Sequence, residues 1–326
     1  MILDFDGGLA AASGMAWPSG GTDMKSVLAT GEAMKHLGEV EGLTHALDAD
    51  ELLRLQKTLV AILADVDRVC RANGIRYFLG GGTALGAVRH RGPIPWDDDM
   101  DINMSRADFD AFVPAFRKAC GERYWVHSPN DDDTHGLVMA RVRLKGTSVR
   151  DRNDVNETEC GAYTDIFIFE NVPDNAALRL LHGLGSLALG LLVSVRKFWR
   201  DRKGLLALTA TSPSARRTTR TKVALGFFVA WLPMDFCVHL ANGWNRLCRN
   251  CSSKRVTCPA GRLHYFGETG LRADLCETRE AVFAGVNALI SANAESYLAR
   301  LYGPDYMTPP AERGRERHLF LRPFEL

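Results

Sequence analysis

The sequence lacks an excess of charge of either sign. Lys and Arg number 40 against 39 Asp and Glu in 326 residues, a net of +1. That balance argues against a dedicated nucleic-acid binder, which carries a basic surplus. The chain also lacks a basic segment at its start: MILDFDGGLAAASGMAW places Asp4 and Asp6 early and does not read as a secretory signal. Its eight cysteines are scattered, so no disulfide framework is expected, and a reducing, cytoplasmic setting is the simplest expectation. Nor does either strongly apolar run reach membrane-spanning length. Leu180 to Val195 has sixteen uncharged residues and Val223 to Met234 has twelve, against the ~18–20 a span requires.

What is present is an ordinary apolar fraction of 46%, enough for one substantial core. Charge is unevenly placed, with acids at 97–101 and 131–133 and bases at 196–203 and 216–222. Residues 1–24, rich in Gly, Ala and Ser, are expected to be poorly ordered. Asp48 and Glu51 open a helix, Leu52, Leu55, Leu59, Ile62, Leu63, Val66 and Cys70 give it an apolar face, and Gly74 stops it. Ile75 to Leu79 reads as a short strand. Thr83 to Arg89 reads as a second helix, broken by Pro93 and Pro95. Ser105 and Asp108 cap a third, with Phe109, Phe112, Val113 and Phe116 on one face. Arg123 to His127, Leu137 to Leu144 and Gly161 to Phe169 read as strands. The second sets Val138, Ala140, Val142 and Leu144 against Arg141 and Arg143; the third is apolar enough to be central. The fold class is therefore α/β (α+β), a mixed sheet flanked by helices.

The stretch GGGTALGAVRHRGPIPWDDDMDIN, Gly80 to Asn103, carries the chemistry. With Asp97 to Asn103 as a strand, Asp97, Asp99 and Asp101 share one face while Met100 and Ile102 enter the core. Three carboxylates on one edge repel unless a cation sits among them, and hard oxygen ligands suit Mg²⁺ or Mn²⁺. An EF-hand is excluded: Ile102 stands where the loop needs Gly, and Asp108 where it needs Glu. A glycine turn opening a helix, an Asp-x-Asp strand and a further acid on a later strand is the layout of a nucleotidyltransferase-type site. The turn's N–H groups hold donor phosphates, the carboxylates hold one or two divalent ions, and a third acid completes the shell or serves as base. Asp165 is the candidate third acid. Cys248, Cys251 and Cys258, with His264 and Cys276 beyond, lack the second close pair of a zinc site, so free thiols are expected.

These residues resemble the signature of the LicD family of phosphotransferases, whose relatives include fukutin and fukutin-related protein. GGTALGAVRHRGPIPWDDDMDI carries the resemblance. LVAILADVDRVCRANGIRYFL, GAYTDIFIF and LARLYGPDYMTPPAERGRERH support it, so that it covers roughly 50–170 and 280–320. The chain departs from the family pattern at Ile168-Phe169-Glu170 and at Pro304. The resemblance implies a nucleotidyltransferase-like fold and transfer of a phospho-alcohol from a CDP-alcohol donor to a hydroxyl of a cell-surface glycan or lipid-linked glycan. Phosphocholine leads, and ribitol- or glycerol-phosphate is the alternative cargo. It implies that Asp99 and Asp101 bind metal, that Asp165 is the third acid, and that Gly81, Gly82 and Thr83 line the donor phosphates; Asp97, on the same face, joins Asp99, Asp101 and Asp165 in the expected metal set. Arg89 and His90 are implied near the site, as is His318. Nucleotidyl transfer, making the CDP conjugate, is the competing enzyme reading, and a non-catalytic binding protein the competing class.

Four regions follow: an extension at 1–45, a catalytic core at 46–177, a helical, apolar and basic insert at 178–260, and a C-terminal segment at 261–326 that completes the core. Two buried helices are expected in the insert. The alternative is a monotopic element, with Arg196, Lys197, Arg200, Arg202, Lys203, Arg216, Arg217, Arg220 and Lys222 meeting anionic lipid, which would place the protein at the membrane periphery.

Overall fold

The computed structural model describes residues 37–311 and 319–326, together with Met34; the expectations for residues 1–24 and for His318 lie outside them. Strand β1 (Thr44–His45) leads into helix α1 (Ala49–Asn73). The helix starts where it does because Asp48 and Glu51 cap each other. The Glu51 N–H donates to Asp48 Oδ1 at 2.8 Å and the Asp48 N–H to Glu51 Oε2 at 3.1 Å. Its face buries Leu55, Leu59, Ile62, Leu63, Val66 and Cys70, and Gly74, at φ 65°, ends it. Each such side chain removed from water contributes roughly 2 kcal/mol, so α1 is held by its stripe more than by its caps.

Next come β2 (Phe78–Leu79), α2 (Gly81–His90), β3 (Asp101–Ser105), α3 (Arg106–Cys120), β4 (Tyr124–His127), β5 (Ala140–Leu144), β6 (Ser148–Arg150) and β7 (Tyr163–Val172). The Asp108 N–H donates to Ser105 Oγ at 3.2 Å to cap α3, which buries Phe109, Phe112, Val113 and Phe116. The main sheet runs β2-β3-β7-β5-β4, with β3 and β7 parallel and the other neighbours antiparallel. The apolar β7 lies at its centre, and the fold is mixed α/β, of the α+β kind.

The chain then runs through α4 (Ala176–Arg200), α5 (Arg202–Leu208), α6 (Pro213–Phe227) and α7 (Met234–Asn245). It returns through β8 (Arg255–Thr257), which pairs with the far end of β7, then α8 (His264–Glu268), β9 (Gly270–Leu271) and α9 (Arg272–Cys276). A hairpin of β10 (Thr278–Phe283) and β11 (Val286–Ser291) turns at Ala284-Gly285, both at positive φ. Helix α10 (Ala294–Tyr302) packs near α2, and β12 (Phe320–Glu325) joins β1 and β6.

Four expectations change. The acidic strand begins at Asp101, not Asp97. The Gln56 amide donates to the carbonyls of Ile94 (3.0 Å) and Asp97 (2.8 Å), so a side chain takes the place of a partner strand there. Helix α2 starts at Gly81 and not at Thr83. Strand β5 starts at Ala140, since Gly136 (φ 66°) and a Leu137 N–H bond to the Thr134 carbonyl (3.1 Å) keep the preceding residues in a turn. The insert helices are only partly buried: Leu178, Leu180, Leu181 and Leu184 of α4 face outward, while its inner side carries His182, Gly183, Ser186, Val193, Val195 and Lys197.

Candidate active site

The glycine turn and the acidic loop meet in one cavity of about 520 Å³. Gly81, Gly82, Arg89, Asp97, Asp99 and Asp101 line it. Although only Asp101 lies in a strand, the alternation expected from the sequence survives in the loop. Asp97, Asp99 and Asp101 are half-exposed toward the cavity, while Asp98, Met100 and Ile102 are buried.

The two halves of the motif are in contact. Gly81 sits at φ 44°, a left-handed conformation that favours glycine, and a Cβ there would lie 3.0 Å from Asp101 Oδ2. A Cβ on Gly82 would lie 2.9 Å from Asp97 Oδ2. Two bonds lock turn to strand: the Gly80 N–H donates to the Asp101 carbonyl at 2.9 Å, and the Asp101 N–H to Thr83 Oγ1 at 2.8 Å. Thr83 is therefore buried behind the cavity as a positioning group. Helix α2 has no side-chain cap at Gly80, so its positive end opens onto the acids and onto any anion they hold through a cation.

Arg89 stays in the wall: its guanidinium donates to the Tyr306 carbonyl at 2.9 Å and sits 5.8 Å from the centre of the Trp96 ring. Burial pulls its pKa down from the usual value, against the pull of Asp97. His90 is exposed, accepts from Arg89 Nε at 2.9 Å, and does not line the cavity. Burial and then Arg89 lower its pKa.

Asp165 lies beside Asp101 in the parallel β3–β7 register, one strand inward. It is buried, and its carboxylate accepts from Arg141 Nε at 2.5 Å and from the second guanidinium nitrogen at 3.2 Å. Arg141 also reaches Asp151 at 2.8 Å, and Arg143 reaches Asp154 at 2.6 Å. Both arginines are essentially inaccessible, at 1% and 0%. The alternation of β5 thus has two buried faces, one apolar and one ionic. Burial pushes the Asp165 carboxyl up while Arg141 pulls it back; for Asp151 burial acts the same way, but Arg141 wins and holds it well below the carboxylate range. Tyr163 lies under the Arg141 guanidinium at 4.0 Å, so it is core and not pocket.

The C-terminal segment supplies what motif spacing did not reveal. The Gly81 N–H donates to the Tyr297 hydroxyl at 3.0 Å. Tyr302, Asp305 and Tyr306 line the same cavity. The Tyr302 hydroxyl turns toward Gly81, and burial, then Tyr297 and the three acids, push its pKa well up. The signal was the Tyr-Gly-x-x-Tyr run after α10; its distance in sequence hid which wall it forms. Trp96 borders the cavity, whereas Trp125 packs under Lys145.

A larger cleft of about 910 Å³ lies elsewhere and contains no part of the glycine–acid motif. Cys248, Cys251 and Cys276 border it, while Cys258 is buried at the edge of the acidic cavity, so Cys248, Cys251 and Cys258 do not converge as zinc ligands. All eight cysteines are free.

His127, His135 and Glu159 bring ligand atoms within 4.8 Å of one another. The two imidazoles are stacked, with centroids 3.6 Å apart and planes at 29°, so their in-plane lone pairs do not converge on one ion without ring rotation. Burial, then His135 and the nearby arginines, push His127 down to about 3. The unfolded imidazole titrates near ~6.5. Between those values the unfolded chain binds a proton that the folded one refuses, so stability falls as pH drops through that window. Each unit of the gap corresponds to about 1.4 kcal/mol. Urea midpoints measured from pH 7 to pH 4 are expected to fall less steeply in His127→Gln than in the parent; equal slopes would remove His127 from the explanation.

Residues 74–176 match the family model described as LicD/FKTN/FKRP, nucleotidyltransferase domain. These residues form a LicD-family domain. It contains the glycine turn, the acidic loop, Asp165 and the five strands β2, β3, β7, β5 and β4 of the main sheet. The lipopolysaccharide cholinephosphotransferase LicD of Haemophilus influenzae is 33% identical over 120 residues, covering 36% of this chain and 44% of that protein. An uncharacterised protein of Rickettsia prowazekii is 43% identical over 103 residues, covering 26% and 39%. The human ribitol 5-phosphate transferase FKRP is 50% identical over 40 residues, covering 12% and 8%. The chain thus spans less than half the length of these curated relatives. The LicD domain fits a divalent ion by its donor set: three hard carboxylates line one wall, pressed against two glycines whose missing side chains leave room for the bound group.

Proposed function

We propose that this chain transfers a phospho-alcohol from a CDP-activated donor to a hydroxyl of a cell-surface glycan or lipid-linked glycan. The observation that carries the reading is the direct abutment of Gly81 and Gly82 on the carboxylates of Asp101 and Asp97 in one cavity. A diphosphate donor needs that pairing, with backbone N–H groups for its oxygens and carboxylates to hold its counter-ion. Asp97, Asp99 and Asp101 would hold Mg²⁺ or Mn²⁺, while Asp165, which does not line the cavity and is held by Arg141, backs them from the adjacent strand. When bound, the metal supplies neutralisation of the diphosphate and acidification of the acceptor hydroxyl.

The Gly80 and Gly81 N–H groups are already bonded to Asp101 and Tyr297, so the positive end of α2 from Gly82 onward faces the donor phosphates, and Arg89 adds a fixed cation beside them. The acceptor oxygen attacks the distal phosphorus, and the bond from that phosphorus to the CMP oxygen breaks. The acceptor proton passes to a carboxylate of the acidic set, and CMP leaves. Asp165 ties β7 to Arg141 of β5 through its carboxylate and to the Met100 carbonyl through its N–H, behind the acidic wall. Tyr302 and Tyr306 cover the cavity against water. Catalysis comes from positioning and charge compensation, as in other phosphoryl transfers.

Phosphocholine is the leading cargo. Trp96, Tyr302 and Tyr306 put aromatic rings on the wall, the surfaces on which quaternary ammonium groups dock, and the Haemophilus relative is named a cholinephosphotransferase. A polyol phosphate is the second reading, favoured by the 40-residue similarity to the ribitol 5-phosphate transferase. Incubation with CDP-choline, CDP-ribitol and CDP-glycerol in Mg²⁺, with CMP release as readout, separates them. CDP-choline is expected to turn over fastest. Pyrophosphate from CTP with no CMP from any conjugate would shift the assignment to nucleotidyl transfer.

A further inference from the structure

The insert keeps a small apolar core, Val193 of α4 against Met234, Cys237, Val238 and Ala241 of α7, yet leaves many of its large apolar side chains facing outward and buries several polar ones. The buried residues of α4 include His182, Ser186 and Lys197, and those of α6 include Thr218, Thr219 and Lys222. The exposed ones include Leu178, Leu181 and Leu184 on α4, Phe227 and Phe228 at the end of α6, and Phe236 and Leu240 on α7. Phe228 and Trp231 are 74% and 79% exposed. A water-facing helix shows the opposite arrangement.

Charge is segregated in the same segment. From Asn175 to Gly267, 93 residues, fifteen Lys and Arg stand against two acids, a net of +13, which leaves the rest of the chain at −12. Both acids are engaged: Asp201 is buried between Lys197 and Arg200, and Asp235 accepts from Thr134. On α6 and just beyond it, Arg217, Arg220, Phe228 and Trp231 recur at helical spacing and all are exposed, with cations at one end and aromatics at the other.

We infer that the outer face of α4, α6 and α7 seats on an anionic phospholipid bilayer. Apolar side chains enter the acyl boundary and Lys203, Arg216, Arg217 and Arg220 meet the headgroups. Among the described residues α4 is one helix long and apolar enough to cross a membrane, longer than the sixteen-residue run marked in the sequence, but its contacts tie both of its ends to the rest of the protein. His182 bonds Tyr265 near one end, and Lys197 and Arg200 bond the His135 carbonyl, the Asn153 carbonyl and Glu157 at the other. Spanning would break all of these. The inference rests on the insert alone and not on the transferase reading.

Vesicle flotation of the full chain tests it. The protein is expected to rise with vesicles containing phosphatidylglycerol and to stay at the bottom with pure phosphatidylcholine. Phe228→Ser with Trp231→Ser should cut the floated fraction about 10-fold or more, and Arg216→Glu, Arg217→Glu and Arg220→Glu together should abolish the anionic preference. Thermal midpoints equal to the parent's confirm that these exposed changes leave the fold intact. Failure of the parent to float, or flotation unchanged in both variants, overturns the inference. So does a discrete dimer by light scattering that the aromatic variant dissolves, since the face would then belong to a second copy.

Discussion

Replacing Asp99 and Asp101 together with Ala is expected to reduce phospho-alcohol transfer by about 10³-fold or more while the protein remains folded. The two halves of that expectation have separate causes. The carboxylates line the cavity and are the donor set proposed for a divalent ion. The fold, by contrast, uses the backbone of Asp101: its N–H reaches Thr83, its carbonyl receives the Gly80 N–H, and both survive truncation of the side chain. Clustered carboxylates repel each other when no cation is bound, which offsets part of what the two truncations cost in metal-free buffer. Thermal denaturation with and without Mg²⁺ reads this directly. The parent should be stabilised by the ion and the double variant should not respond. A variant that lost activity only because it failed to fold would contradict the placement of these residues.

Arg141→Ala is expected to produce the largest loss of stability, about 3–5 kcal/mol. The guanidinium is 1% exposed and bridges Asp151, Asp154 and Asp165. Removing it leaves three buried carboxylates facing Arg143 alone, and the cost is that of uncompensated charge more than of lost contact. A double-mutant cycle separates the terms. Asp165→Asn in the Arg141→Ala background should recover part of the stability, because one stranded charge goes with it. Asp165→Asn alone should lower transfer while disturbing stability less than Arg141→Ala does. Guanidinium midpoints at constant slope are the readout; near-additive single changes would mean that the two side chains are not coupled.

The legible parts of the fold were those governed by local physics. The capping pair Asp48 and Glu51, the helix stop at Gly74, the Ser105 cap and the apolar strand β7 follow from short-range rules, and the structure has each of them. The parity of Asp97, Asp99 and Asp101 held even where the strand did not, since alternation needs only extended backbone with a core on one side. The first error there, a strand from Asp97, came from Gln56, some forty residues upstream, whose amide takes two of the loop's carbonyls. The alternation of β5 sets Arg141 and Arg143 on the face opposite its apolar side chains, but says nothing of what that face meets. Here Asp151, Asp154 and Asp165 converge on them from loops and a strand whose approach no local pattern encodes. Tyr297 and Tyr302 were invisible as site residues for the same reason, being more than two hundred residues from the glycine turn they touch. The insert was misread as buried because apolar helices of that length are core helices in most soluble chains. Its mixed inner face, with His182, Ser186 and Lys197 beside Val193 and Val195, shows only once α4 is packed.

The central claim is that the glycine turn and the acidic loop act together on a CDP-activated donor. Phosphorus NMR of the full chain with CDP-choline, Mg²⁺ and a hydroxyl-bearing glycan acceptor tests it most directly. The account predicts that the diphosphate resonances decay, that CMP and a new phosphodiester appear in equal amounts, and that chelation stops both. Persistence of the diphosphate with every CDP-alcohol offered, alongside intact folding and bound metal, would contradict it.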